Sequence, residues 1–349
     1  MEEQDELGER KARVLRAIVE EYVRTGEPVG SQTIAEGYDL GVSPATIRNE
    51  MAALEELGYL DHPHTSAGRI PTDRAYREFV NSLPAAGRLG QAQSRAITDF
   101  FAPTVLDLEE ALRGATQLLS KLTRYAGLAL PPSITDERVA HVELVGIGSA
   151  IMVLVVGQHG RVDKRVLDRP DGLDDRLLLG LSGNLASVLG GLTVAEAKAR
   201  ALQMALEASE PDRVLLTVLA DAFGELNVGE GTDHVLVGGV ANLASEAEAW
   251  HRETIHRLIE ALERESEMLQ LLREAASSED LSVMIGGEHP STGQWEASVV
   301  AAPYRAGDTS LGTIGIVGPT RMDYLTAIST VRAVARRISE LATSLGQPR

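Results

Sequence analysis

Apolar residues along the first quarter of the chain recur at helical rather than strand intervals. Within residues 10–24 they fall at Val14, Leu15, Ile18, Val19, Tyr22 and Val23. That is the i, i+3, i+4, i+7 stripe of an amphipathic helix, ended by Gly26 and Pro28. Ser31 can cap a short second helix through Tyr38, and a turn follows at Asp39-Leu40-Gly41-Val42. Ser43-Pro44 supplies an N-cap and a first-turn proline for a third helix, which runs to Leu57 and stops at Gly58. Over 59–72 the helical period is lost and Pro63, Gly68 and Pro71 appear, the pattern of a strand-loop-strand wing. A fourth helix is predicted over 73–83.

Behind these elements, 84–90 reads as a linker, and helical segments follow over 91–125 until Pro131-Pro132 closes them. Residues 139–156 and 161–167 are β-rich and bounded by Gly157 and Gly160, which predicts a hairpin. The run 171–206 is helical and Ala-rich, 211–226 predicts another helix, and 235–240 a short strand. One long charged helix is expected over 250–276, then strands at 281–285, 297–304 and 313–317, and a closing helix over 323–345. Strand blocks at 139–167 and 281–317 flank a helical block. That order predicts an α+β domain interrupted by an insertion.

The third helix carries the chemistry. Ile47, Met51 and Leu54 share one side and should pack on the first helix, while Ala45, Arg48, Asn49 and Ala52 share the other. Small residues beside one Arg and one Asn make a face that can enter a major groove. There Arg can pair with guanine O6/N7 and Asn with adenine N6/N7, each bidentate. Ser43 and Thr46 sit at the helix N-terminus, whose free N–H groups suit a phosphate. His62, His64, Thr65, Ser66 and Arg69 crowd the wing, within reach of phosphates or the minor groove. The plainer alternative is an amphipathic helix with a solvated outer face. The order helix, short helix, capped helix, Gly/Pro-rich hairpin favours a winged helix-turn-helix on double-stranded DNA. The two wing histidines lack a third ligand nearby, so no metal is expected.

Charge complicates this picture. The 349 residues carry a net charge of −18, and residues 1–83 hold 9 Arg/Lys against 16 Asp/Glu. Within 43–77 there are 4 Arg against 5 Asp/Glu. Affinity must then rest on where the arginines sit, and non-specific binding should be weak. Two half-sites read by a homodimer would compensate. The absence of cysteine removes disulfides, thiolate metal sites and cysteine nucleophiles, and fits a cytoplasmic protein. No signal peptide or membrane partner is expected, because no apolar run is long enough. No triad or paired-carboxylate spacing suggests an enzyme, and no cofactor is expected. Gly315, Gly318, Arg321 and Asp323 form a possible regulatory turn after an apolar strand, but no Gly-Lys-Ser/Thr follows as a phosphate loop requires. The reading weighed against it is a tight turn in which Arg321 and Asp323 hold the next helix.

Three runs add a resemblance: Thr25-Gly-Glu-Pro-Val-Gly-Ser31, Val42-Ser-Pro-Ala-Thr-Ile-Arg-Asn-Glu-Met51 and Pro63-His-Thr-Ser-Ala-Gly-Arg-Ile-Pro-Thr72. With Ile285-Gly-Gly-Glu288 and Gly315-Ile-Val-Gly-Pro-Thr-Arg-Met-Asp-Tyr324 near the other end, the chain resembles the heat-inducible transcription repressor family HrcA. The resemblance implies a repressor of chaperone operons that binds an inverted-repeat operator as a homodimer, with a chaperonin as a further partner. It also implies a GAF-like domain interrupted by an inserted helical/β dimerisation domain. The expected division is 1–83 for the winged helix, 84–169 and 249–349 for the two GAF-like parts, and 170–248 for the insert. A ligand-sensing regulator whose GAF-like part binds a small effector is the alternative.

Overall fold

The computed structural model describes residues 7–62, 68–84, 89–102, 107–132, 138–158, 162–170, 173, 175–210, 212–228, 234–245 and 252–345. The N-terminal domain comprises α1 (Glu9–Thr25), α2 (Ser31–Gly37), α3 (Pro44–Glu56), the short antiparallel pair β1 (Leu60–Asp61) and β2 (Ile70–Pro71), and α4 (Asp73–Ser82). Val14, Leu15, Ile18 and Val19 of α1 are buried in one core with Ile47, Met51 and Leu54 of α3, as the two apolar stripes require. Gly26 ends α1 in the left-handed conformation, its N–H donating to the Tyr22 carbonyl. The result is a winged helix.

Next come α5 (Gln91–Phe100), α6 (Leu108–Thr123) and β3 (Ala126–Leu130), then β4 (Val139–Ile147), β5 (Ala150–Gly157) and β6 (Val162–Asp168). Three helices follow, α7 (Asp175–Leu189), α8 (Val194–Glu207) and α9 (Asp212–Val228). The remainder is β7 (Leu236–Gly238), α10 (Val240–Ser245), α11 (Arg252–Glu263), α12 (Glu265–Ala276), β8 (Ser282–Ile285), a 3₁₀ turn (Gly286–Glu288), α13 (Pro290–Trp295), β9 (Ala297–Ala306), β10 (Thr309–Pro319) and α14 (Tyr324–Leu345).

Five strands make one antiparallel sheet in the order β7-β3-β10-β9-β8. Its two faces are both covered. Ala129, Val300, Ala302, Ile314 and Ile316 share a core with α6 and α14, whereas Leu128, Leu130, Val299, Ala301 and Val317 share another with α11 and α12. Strands buried on both faces read as continuous apolar runs, which is why β9 and β10 were legible without alternation. This sheet with its covering helices is the GAF-like domain.

The expected hairpin at 139–167 is instead a three-stranded meander, because Gly148 turns the first run back on itself at φ 59°. The expectation that it belongs with the strands at 281–317 does not hold. Val142, Leu144, Ile151, Val153 and Val155 build a separate core with Leu178, Leu185 and Leu189 of α7, Ala197 and Ala201 of α8, and Leu219 and Phe223 of α9. The self-contained module therefore spans β4 to α9 rather than 170–248, and β7, expected inside the insert, pairs with β3 of the main sheet. The expected helix over 250–276 is two helices, broken at Arg264, whose ψ of 72° leaves the helical range. β3 was not expected at all: its five residues are all buried, small or apolar, and follow a helix without any change of period.

Candidate nucleic-acid interface

Local chemistry shapes the N-terminus of α3. Ser43 Oγ accepts from the Thr46 N–H at 3.2 Å and lies 3.0 Å from Thr46 Oγ1, while Pro44 occupies the first turn. Both hydroxyls are thereby drawn into the cap. Ile47, Met51 and Leu54 point into the core, so the helical period leaves Ala45, Arg48, Asn49 and Ala52 exposed in one row. Among the described residues, neither the Arg48 nor the Asn49 side chain makes a hydrogen bond or ion pair. Glu50, beside them, lies 3.7 Å from Arg10 and 3.8 Å from Lys11 of α1, so its charge is partly met before any phosphate approaches.

The wing is tied to the helical trio at its base. Val29 and Arg69 exchange backbone hydrogen bonds at 2.8 and 2.9 Å. This approach needs a glycine next door, since a Cβ on Gly68 would stand 2.6 Å from the backbone of Pro28 and Val29. Glu55, on the last turn of α3, holds two wing residues with one carboxylate: Arg69 Nε donates to Oε2 at 2.6 Å, and His62 Nδ1 lies 2.6 Å from Oε1. Anchoring through Nε leaves the terminal guanidinium nitrogens of Arg69 for another oxyanion. Arg74 donates to the Leu57 carbonyl at 2.7 Å and lies over the Tyr59 ring, 4.4 Å from its centroid, which fixes the far end of the wing. His64, Thr65 and Ser66 lie outside the described residues. Glu55 itself was missed in the sequence, where an acid on the last turn of a helix shows no sign of its partners across the wing.

The candidate turn near the C-terminus has a different neighbour from the one expected. Gly315 and Gly318 lie within β10. Asp323 Oδ1 accepts from the Thr326 N–H at 3.0 Å and so caps α14. Arg321, however, reaches out to α1: its guanidinium occupies the space where a Cβ on Gly26 would stand, and lies 5.8 Å from the Tyr22 ring centroid. Around it the two domains are docked. Arg77 of α4 forks onto the Glu288 carboxylate and donates to the Val283 carbonyl at 2.6 Å; Asp73 accepts from the Gly287 N–H at 2.8 Å. The Tyr76 and Tyr324 rings meet at 5.7 Å, both buried, and burial raises both hydroxyls well above the ordinary tyrosine range. Both C-terminal motifs seen in the sequence thus lie against the winged helix. Among the described residues no group of three or more His, Cys, Asp or Glu could hold a metal ion, and no helix is long and apolar enough to cross a membrane.

A chain with this geometry has known relatives. Residues 6–83 match the family described as winged helix-turn-helix transcription repressor, HrcA DNA-binding, and residues 109–328 match the HrcA protein C terminal domain. The heat-inducible transcription repressor HrcA of Thermobifida fusca is 41% identical over 346 residues, covering 98% of each chain. Its namesake in Streptomyces avermitilis is 41% identical over 337 residues, covering 96% of this chain and 98% of its own. A crystal structure described only as that of a hypothetical protein matches with a TM-score of 0.66 at 26% identity, over 97% of this chain and 100% of the other.

Proposed function

The chain belongs to the HrcA family of heat-inducible transcription repressors, and we propose that it silences chaperone operons by seating α3 in the major groove of an inverted-repeat operator, two copies at a time. The observation that carries this reading is the exposed row Ala45, Arg48, Asn49, Ala52 on a capped helix, with both polar side chains uncommitted among the described residues. Arg48 and Asn49 read bases. The helix N-terminus at Ser43 and Thr46, and the wing residues His62, His64, Thr65, Ser66 and Arg69, contact phosphates or the minor groove. Such a repressor acts by occupancy and performs no chemical step.

The second copy is favoured by the charge balance and by the module β4–α9, to which we assign dimerisation. Paired residues of an antiparallel ladder share a face, so Met152, Leu154 and Val156 of β5 lie beside Val166, Lys164 and Val162 of β6. This face stands opposite the module core, and Val162 and Val166 are 60% and 58% exposed. β4 adds Val145, Glu143 and His141 to the same face, which is therefore apolar with polar and charged positions among its rows; ending in the edge strand β6 among the described residues, it suits an isologous contact with itself. Family membership also favours a chaperonin as a partner that maintains the active repressor.

A gel shift of the full chain against inverted-repeat and scrambled DNA, at several salt concentrations, tests the reading. Tight binding to the repeat alone, with two chains per site and weak scrambled binding throughout, is the expected outcome. Equal affinity for both duplexes would refute it.

A further inference from the structure

Helix α4 is bonded to α3 on one side and to the GAF-like domain on the other. Toward α3, Thr72 Oγ1 donates to the Gly58 carbonyl at 2.8 Å, and Arg74 donates at 2.7 Å to the carbonyl of Leu57, the C-cap of α3. Toward the GAF-like domain, Asp73 and Arg77 stand four residues apart and so share a face. Arg77 donates at 2.6 Å to the Val283 carbonyl of β8, the edge strand of the five-stranded sheet. It also forks onto Glu288, whose Oε2 accepts from the Ile285 N–H at 2.9 Å. A fork of this kind fixes direction as well as distance. Two glycines admit Asp73. Gly286 has φ 47°, and a Cβ there would stand 2.2 Å from the Asp73 carboxylate, which accepts from the Gly287 N–H at 2.8 Å. The run Ile285-Gly-Gly-Glu288, which takes no part in the exposed row of α3, is a socket for α4.

Domains joined by small polar contacts move against one another by default. This junction is not of that kind. Tyr76 and Phe79 of α4 belong to one continuous core with Met322, Tyr324 and the sheet residues Ile314 and Ile316. Apolar burial holds the two domains together, and the hydrogen bonds of Asp73 and Arg77 set the angle between them.

From this double grip, on the end of α3 and on the edge of the sheet, we infer that Asp73, Arg77 and Glu288 are positioning residues that hold α3 at a fixed angle to the dimerising body, so that the paired chains accept one spacing between operator half-sites. The three act through α3 and not on the DNA. Half-site separation follows from where two helices are held, and a loosely mounted helix would accept several. The inference rests on the operator reading and adds to it the residues that set the spacing.

Gel shifts of the full chain test it, on inverted repeats whose spacer changes in single-base-pair steps across about half a helical turn. The unaltered chain should show one optimum, with affinity falling about tenfold or more away from it. Arg77→Met keeps the aliphatic stem without the donors, and Glu288→Gln keeps an acceptor for the Ile285 N–H. Each should flatten the profile to about threefold or less, while affinity for a duplex with a single half-site stays unchanged, which a damaged winged helix would not allow. Because the chain has no cysteine, Asp73→Cys with Gly287→Cys can form only one bridge, and a Cβ on Gly287 would lie 3.5 Å from Asp73 Oδ2. The oxidised double variant should keep the optimum of the unaltered chain. A sharp profile retained by both single variants would overturn the inference, as would an oxidised double variant that loses the operator when its reduced form binds. A chain that treats repeat and scrambled DNA alike at every spacing would sink the operator reading, and this inference with it.

Discussion

Arg48 and Arg69 look alike in the sequence and differ in the structure. Arg48 stands uncommitted on the outer face of α3, whereas Arg69 is anchored to Glu55 through Nε. Arg48→Ala should cost about 1–3 kcal/mol on operator DNA and relax preference at one base pair. Arg69→Ala should weaken operator and scrambled DNA alike and lower the salt slope by about one per site. Part of its loss comes from the Glu55 carboxylate, left facing the duplex with His62 alone. Adding Glu55→Gln to Arg69→Ala should therefore recover some of the affinity for both DNAs. Titrations at two salt concentrations separate these cases, and equal, sequence-independent losses would put Arg48 on the backbone. Tyr76 offers a test of stability. Its hydroxyl is buried without a hydrogen-bond partner among the described residues, so Tyr76→Phe should stabilise by about 1 kcal/mol. The sign of its pH dependence follows from burial, which raises the folded-state pKa above the unfolded one, ordinarily about 10. Below that pH the hydroxyl is neutral in both states and its ionisation does not affect stability; as pH rises beyond it only the unfolded state ionises and stability falls, so Tyr76→Phe should also flatten the alkaline fall in unfolding midpoint.

Elements with one wet face and a proper cap could be read from the chain. The stripe of α1 and the Ser43-Pro44 start of α3 placed both helices to within a residue or two, and the same period exposed the row of Arg48 and Asn49. Ser43→Ala should accordingly cost about 1 kcal/mol, measured by denaturant unfolding, with operator affinity falling as the helix start loosens. Other elements left no such trace. β3 is a run of only five residues directly behind α6, with no glycine or proline between Thr123 and Ala126 to mark where the helix ends. Arg264 breaks the α11–α12 run without a glycine or proline to announce it. The β-rich composition of 139–167 announced strands but not the helices they pack against, so they were grouped with the wrong sheet. Within the candidate site, the exposed row of α3 came from local periodicity. The docking of Asp73 against Gly287 joins residues 214 apart, a separation at which no local pattern operates.

At the scale of the whole molecule, the acidic winged helix and the open face of the meander answer one another. With 16 acids against 9 bases in residues 1–83, a single domain should gain little from the phosphate backbone, and the proposed function has two copies of α3 share one duplex, about 34 Å apart or a multiple of that. The surface that could supply the second copy is the sheet face of Met152, Leu154, Val156, Val162 and Val166. None of these side chains joins the module core. Placing charge there should separate the copies without unfolding either one. Val162→Glu with Val166→Glu adds two carboxylates at exposed positions, where substitution costs little stability, yet sets four carboxylates against each other across an isologous contact. Sedimentation equilibrium at micromolar concentration should show a dimer for the unaltered chain and a monomer for the double variant, with the same unfolding midpoint for the meander module. Operator affinity should fall far more than any single groove contact accounts for, because one half-site is lost, while scrambled-DNA binding per chain stays as weak as before. A double variant that sediments as a dimer would remove this face from the interface and move dimerisation to another part of the chain.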